Sequence, residues 1–284
     1  MHDALAGSLE GTTVVALVTN VPGPLAAARL RALGARVVKV EPPHGDPLEA
    51  AAPQWYAEIV AGMERVRLNL RDAADQARLH ERLSESQLLV TAARTGALRR
   101  AGIDWDALHA KYPRLSQVAV VGEAAPNDDR AGHDLTYQAR AGLLSPPAMP
   151  RSVYADIAAA ERAVSAALAA LLRSARGREA VRLEVPIVEA AASFAEPLRY
   201  GLTAPSGPLG GALPAYNVYR SADGWVAVAA LEEHFAGRLL ALLGAERLDA
   251  PALERAMLAR SSAAWEAFAS EHDLPLAAIF PEKG

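Results

Sequence analysis

At 284 residues, 51% of them hydrophobic and with a net charge of −4, the chain can bury two unequal cores and has no basic field for nucleic acid or an anionic membrane surface. The absence of cysteine rules out disulfides, a thiol nucleophile and sulfur-held zinc. With no basic leader and no apolar run of spanning length, the expectation is a cytoplasmic protein acting on a small molecule.

The first element is "TTVVALV" from Thr12, a β-branched run that reads as a strand. After the loop "TNVPGP", with Pro24 in a first-turn position, "LAAARLRALG" places Leu25, Ala28 and Leu33 near helical spacing and ends at Gly34. "ARVVKVE" is a second strand, so the order gives a right-handed βαβ unit and a parallel sheet. "RVRLNL", "AADQARLHERLSES", "QLLVTA", "DWDALHAKYP" and "LSQVAVVG" continue the alternation into a doubly wound pattern. From Gly132 to Arg173 the pattern is helical, broken by the prolines of "SPPAMPRS". "ADIAAAERAVSAALAALLRSARG" is a long amphipathic helix ending at Gly177, and "AVRLEVPIVEAA" is a strand running into a helix.

The stretch "GLTAPSGPLGGALP", rich in glycine and proline, marks a boundary: a large domain over 1–200, a linker over 201–214 and a small domain over 215–284. "AYNVYRSADGWVAVAAL" reads as a hairpin turning at Asp223-Gly224, followed by apolar helices and polar turns. The expected fold class is therefore α/β, a Rossmann-like parallel sheet with a smaller α+β domain. No fixed-period repeat occurs, and the alanine excess reads as compositional bias.

The first βα loop carries neither G-x-G-x-x-G nor a Walker pattern, which argues against a nicotinamide cofactor or a nucleoside triphosphate. Ligands nevertheless bind at the C-terminal ends of parallel strands. Two features there suit a phosphorylated adenosine carrier: the acidic turn "VEPPHGDP", and Arg94 and Arg100 in "TAARTGALRRAGIDW", which as a plain charge pattern also fit a solvated helix start. There is no G-x-S-x-G elbow, and His44, His80, His109 and His234, in no metal-ligand spacing, read as surface histidines.

His133 differs, because it follows Gly132 at a helix start, where an imidazole can face a cleft or simply form the first turn with Asp134 answering the dipole. Asp156 precedes "IAAAERAV" and reads as an N-cap; the same placement lets helix amides favour its ionised carboxylate and stabilise an oxyanion nearby.

Five stretches carry a resemblance: "LEGTTVVALVTNVPGPLAAARLRALGARVVKVEPPHGDP", "LLVTAARTGALRRAGIDWDAL", "AGHDLTYQARAGLL", "YADIAAAERAVSAALAALLRSARG" and "LPAYNVYRSADGWVAVAALEEHF". In this order the chain resembles the family III CoA-transferases and their racemase relatives over nearly its whole length. The resemblance implies a CoA-binding large domain, coenzyme A as part of the substrate with no tightly bound cofactor, and an intertwined homodimer with sites between subunits. It implies Asp156 as the transferases' nucleophilic aspartate. Transferases usually lack a histidine at His133, whereas Gly-His-Asp followed by tyrosine is similar to the α-methylacyl-CoA racemase branch.

Carried over, His133 and Asp156 are paired bases on opposite faces of the α-carbon, Tyr137, Arg94 and Arg100 contact CoA, and Glu232 supports His133 from the partner chain. The chain departs from the pattern in having "IAAA" where racemases have glycines after the aspartate. Glu64 stands where a basic residue is usual, and the family's C-terminal return segment is expected to be absent after "DLPLAAIFPEKG".

The expected activity is 1,1-proton transfer α to a thioester, since inversion of that centre needs one base on each face and each positioned base contributes roughly 10²–10⁴-fold. The alternatives are CoA transfer between carboxylic acids with Asp156 as nucleophile, and a non-catalytic CoA-binding protein.

Overall fold

The structure, a computed structural model, describes residues 7–279. The chain divides into two compact units at Ala195/Glu196.

The first unit opens with β1 (Thr13–Leu17), α1 (Pro22–Ala32) and β2 (Arg36–Glu41), followed by two short helices, α2 (Pro47–Ala51) and α3 (Pro53–Val60). β3 (Glu64–Arg67), α4 (Ala73–Ser84), β4 (Leu88–Thr91), α5 (Thr95–Arg100), α6 (Trp105–Lys111) and β5 (Ser116–Val121) come next. The unit ends with α7 (Asp134–Ala141), α8 (Tyr154–Ala175), β6 (Arg182–Pro186) and α9 (Ile187–Phe194). The six strands form one parallel sheet in the order β3-β2-β1-β4-β5-β6, the doubly wound arrangement expected from the alternation. α1 starts at Pro22, so Pro24 stands in its first turn, and Gly34 at φ 104° follows its end.

Parallel strands buried on both faces must be apolar throughout, and β1 shows why. Val14, Ala16 and Val18 enter one core with residues of α1, α8 and α9, while Val15 and Leu17 enter the other with Leu79, Leu83, Leu98 and Leu108. Part of the alanine excess has a packing role. Ala155, Ala159, Ala163, Ala167 and Ala170 of α8 form a buried stripe at helical spacing, and α1, which packs against α8, presents Ala26 and Ala27. Small side chains let these helices approach closely, which bulky ones would prevent. The "IAAA" alanines belong to this stripe: Ala158, Ala159 and Ala160 are all buried.

α2 and α3 do not emerge from hydrophobic periodicity, yet each begins with proline at its first position, Pro47 and Pro53. The acidic turn before them does not offer its carboxylates to a ligand. Glu41 and Asp46 are buried and accept from the buried Lys39 ammonium at 2.6 and 2.8 Å, and the Tyr56 hydroxyl also donates to Glu41. Burial alone would lower the Lys39 pKa, but hydrogen bonds to Asp46 and Glu41 outweigh it and raise it. Burial likewise pushes Glu41 up, and the bonds from Lys39 and Tyr56 bring it below the usual carboxylate range. Glu64, in β3, takes Arg36 at 3.1 Å and Arg82 at 2.7 Å.

The second unit contains α10 (Glu196–Arg199), a hairpin of β7 (Tyr216–Arg220) and β8 (Trp225–Ala229), then α11 (Glu233–Leu243), α12 (Ala250–Met257), α13 (Ser262–His272) and β9 (Leu276–Ile279). The strands form an antiparallel sheet in the order β7-β8-β9. Its core joins Tyr219, Val226 and Val228 to Leu239, Leu253, Met257, Trp265 and Phe268. The turn residue Asp223 accepts from the Ser262 amide at 2.7 Å, fastening the hairpin to the start of α13. β9 is not distinguished in the sequence from the helices and turns read there; four residues carry no readable period, and its pairing with β8 decides the conformation. No helix among the described residues is long and apolar enough to cross a membrane.

Candidate active site

In a sheet of this order, the crevice lies between β1 and β4, where successive connections leave in opposite directions. A cavity of about 270 Å³ opens there, entirely within the first unit. Thr19, Asn20 and Pro22 line it after β1, Ala92, Ala93 and Arg94 after β4, and Gly122 after β5. Asn20 has φ 65°, an uncommon conformation for a residue with a side chain, and Asp46 Oδ1 holds its backbone amide at 2.9 Å. Gly23 lets α1 start directly over the sheet, since a Cβ there would lie 2.5 Å from the Val18 Cβ.

The Gly-His-Asp step closes the cavity. His133 is the exposed N-cap of α7; its backbone N–H donates to Thr136 Oγ1 at 3.1 Å, and its carbonyl accepts the Thr136 amide at 2.9 Å. These bonds fix the backbone and leave the imidazole on the cavity wall. Gly132 answers to Tyr137: the phenol runs so close that a Cβ on Gly132 would lie 2.4 Å from its hydroxyl, and one on Gly122 2.2 Å from it. Tyr137 is buried and lines the cavity; burial, then the neighbouring Asp156, raises its pKa.

Asp156 also lines the cavity, but it is not an N-cap. α8 is capped at Val153, which puts Asp156 in the first turn as the third helical residue. Nor is its carboxylate favoured in the ionised form. Burial, then the negative charge of Asp134, raises its pKa to about 7, so desolvation and a like charge win over the helix amides. Asp134, at the start of α7, is buried; its Oδ1 accepts the Asp156 amide at 3.1 Å and its Oδ2 accepts Gln138 Nε2 at 2.5 Å. The expected oxyanion donors next to Asp156 are thereby committed, because the Ile157 amide is also taken, by the Val153 carbonyl at 3.0 Å.

The cavity thus unites His133, Asp156, Tyr137 and Arg94. Arg94, exposed at the N-cap of α5, pairs with no carboxylate among the described residues. Arg100, the exposed last residue of α5, is not on the cavity wall, and Glu232 is the exposed N-cap of α11 in the second unit. Asn20, Asp128 and Arg130 line the cavity without having been singled out in the sequence. Their only signal was position, in loops after the first and fifth strands.

The other histidines are divided. His44 and His234 are exposed, whereas His80 is half-buried beside the Tyr112 hydroxyl at 3.0 Å and half-buried His109 stacks on Trp105. Packing against those rings withdraws them from the surface.

Residues 9–280 match CoA-transferase family III. The chain is similar to the cinnamoyl-CoA:phenyllactate CoA-transferase of Clostridium sporogenes, 34% identical over 47% of this chain and 36% of that protein. It is also similar to human alpha-methylacyl-CoA racemase, 29% identical over 86% of this chain and 67% of that protein. The chain therefore spans about a third of the first relative and two thirds of the second. The fold superposes on the crystal structure of Rv3272 from Mycobacterium tuberculosis with a TM-score of 0.83, at 22% identity, covering 98% of this chain and 87% of that one. The chain belongs to CoA-transferase family III.

Proposed function

We propose that the protein is an acyl-CoA enzyme of racemase type that moves the proton α to the thioester of a 2-methylacyl-CoA. The observation that carries this reading is the meeting of His133 and Asp156 at one cavity, with the carboxyl titrating near pH 7. A group with such a pKa is both an effective acid and an effective base at neutral pH. One of the pair takes the α-proton, electrons pass into the thioester carbonyl, and the other returns a proton to the opposite face. Arg94, Arg130 and Tyr137 line the same wall, where the cations suit the phosphates of CoA.

The same reading makes the protein a cytoplasmic homodimer in which Glu232 of a second copy supports His133. Large apolar side chains at the surface, Tyr200 at 77% and Phe194 at 54% exposure, support a partner chain.

Similarity to a CoA-transferase favours a second reading, in which Asp156 attacks the thioester and carries the acyl group as an anhydride. Incubation of a 2-methylacyl-CoA in heavy water separates the two. Proton transfer washes deuterium into the α-position, and His133→Ala lowers that rate by roughly 10²–10⁴-fold for the enantiomer whose α-proton faces the imidazole. Transfer of CoA to a carboxylate without wash-in, with full activity in His133→Ala and none in Asp156→Ala, assigns the transferase reading. Binding of CoA esters with neither reaction leaves a binding protein.

A further inference from the structure

We infer that Asp134 and Gln138 are positioning residues that lock the first turn of α8 to α7 and so set where the Asp156 carboxyl stands relative to the His133 imidazole. The inference rests on the proton-transfer reading of the cavity and goes beyond it to residues that do not line the cavity. Asp134 immediately follows His133, and Gln138 is one turn further along α7; both are buried. Asp134 ties the two helices by accepting the Asp156 amide at 3.1 Å through Oδ1. Gln138 Nε2 donates to Asp134 Oδ2 at 2.5 Å and to the Ser152 carbonyl at 3.0 Å, just before α8. Both partners are acceptors, so the amide nitrogen must face them.

That choice leaves Gln138 Oε1 buried with no partner among the described residues. A buried acceptor without a donor is destabilising, which fits an arrangement kept for the geometry it imposes.

The pair also sets the charge beside the reacting group. Asp134 has no cation against its carboxylate among the described residues, and its negative charge adds to burial in raising the pKa of Asp156. The titratable and charged groups around Asp156 are Asp134, His133 and Tyr137 from α7 and its cap, Arg94 after β4, and Asp128 and Arg130 after β5. α1 and α9 present Pro22 and Ile187 to the cavity, which carry no charge. Asp134 is thus the charge linked both by backbone and by field to Asp156, while its chain neighbour is the imidazole.

Asp134→Asn keeps an oxygen for the Asp156 amide and removes the charge, and because its amide nitrogen then faces Gln138 Nε2 it also gives up that hydrogen bond. The Asp156 carboxyl is followed by carbon-13 NMR in aspartate-labelled protein, assigned against Asp156→Asn. Its midpoint, about 7 in the parent, is expected to fall by about one pH unit or more in Asp134→Asn. The acid limb of α-deuterium exchange moves with it. Gln138→Met keeps the charge and breaks the tie to Ser152; kcat for exchange is expected to fall at least about tenfold, with KM for the acyl-CoA within about twofold.

A midpoint in folded Asp134→Asn within about 0.3 unit of the parent overturns the inference, because the charge then does nothing at Asp156. So does unchanged kcat in Gln138→Met, which also decides the matter if Asp134→Asn does not fold. A parent that binds acyl-CoA without α-exchange overturns the functional reading alone, since the carboxyl titration needs no turnover.

Discussion

Two carboxylate pairs lie at the loops of this sheet, and their surroundings have opposite consequences. Glu41 and Asp46 share the Lys39 ammonium, and Tyr56 adds a hydroxyl, so burial is answered by opposite charge and Glu41 stays ionised to unusually low pH. Among the described residues Asp134 and Asp156 have no such cation between them, and burial with a like charge lifts Asp156 to about 7. A neutralised cluster can do little but hold structure. An unneutralised one titrates where an enzyme works, and this one opens on the cavity that also holds His133.

The contrast can be broken most strongly at Asp156. Asp156→Ala is expected to lower α-exchange of the enantiomer whose proton faces the carboxyl by roughly 10²–10⁴-fold, while the protein retains its fold as judged by its thermal transition. The corresponding break in the other cluster costs stability. Lys39→Met leaves Glu41 and Asp46 buried without a cation, and denaturant unfolding at pH 7 should show a loss of about 3–5 kcal/mol. Asp46 also holds the Asn20 amide, so this variant is expected to loosen the cavity rim as well.

The pH dependences of the two clusters have opposite signs. Glu41 has a folded pKa below its ordinary 4.5, so its contribution is present above that value and is lost as pH falls through the lower folded value. Asp156 has a folded pKa above its ordinary 3.8; its contribution is complete below 3.8 and is lost as pH rises through about 7. Asp156→Asn removes that loss. Unfolding curves at pH 4 and pH 8 should therefore show the variant gaining on the parent at the higher pH, on the order of 2–4 kcal/mol. No gain would mean that the carboxyl is not held against ionisation.

Much of the fold could be read because its central strands β1 and β5 are largely apolar on both faces, as in "TTVVALV" and "LSQVAVVG", and need no period to be recognised. α2 and α3 do not show in the sequence because eight residues or fewer of mixed polarity give a weak period, although Pro47 and Pro53 mark both starts. β9 could not be found locally, since only β8 makes it a strand. At the site, His133 and Asp156 were legible through their neighbouring residues, and the cavity brings them together. That Asp156 is neither a cap nor a favoured anion does not show in the sequence, which reveals neither that α8 starts at Tyr154 nor that Asp156 is buried with Asp134 against it. Asn20, Asp128 and Arg130 are ordinary loop residues until strand order gathers their loops.

The smallest expected effect concerns the two arginines of α5. Arg94 lines the cavity and Arg100 does not, so Arg94→Ala should raise KM for the acyl-CoA about fivefold or more, while Arg100→Ala stays within about twofold. Equal effects would move the CoA-binding face away from the end of β4.

The most direct test of the central claim uses the two enantiomers of a 2-methylacyl-CoA separately, in heavy water, with each single variant. If His133 and Asp156 act from opposite faces, Asp156→Asn still exchanges the α-proton of one enantiomer, and His133→Ala still exchanges that of the other. Loss of both exchanges in Asp156→Asn, together with retention of both in His133→Ala, would contradict the two-base account and leave the imidazole without a part in the chemistry.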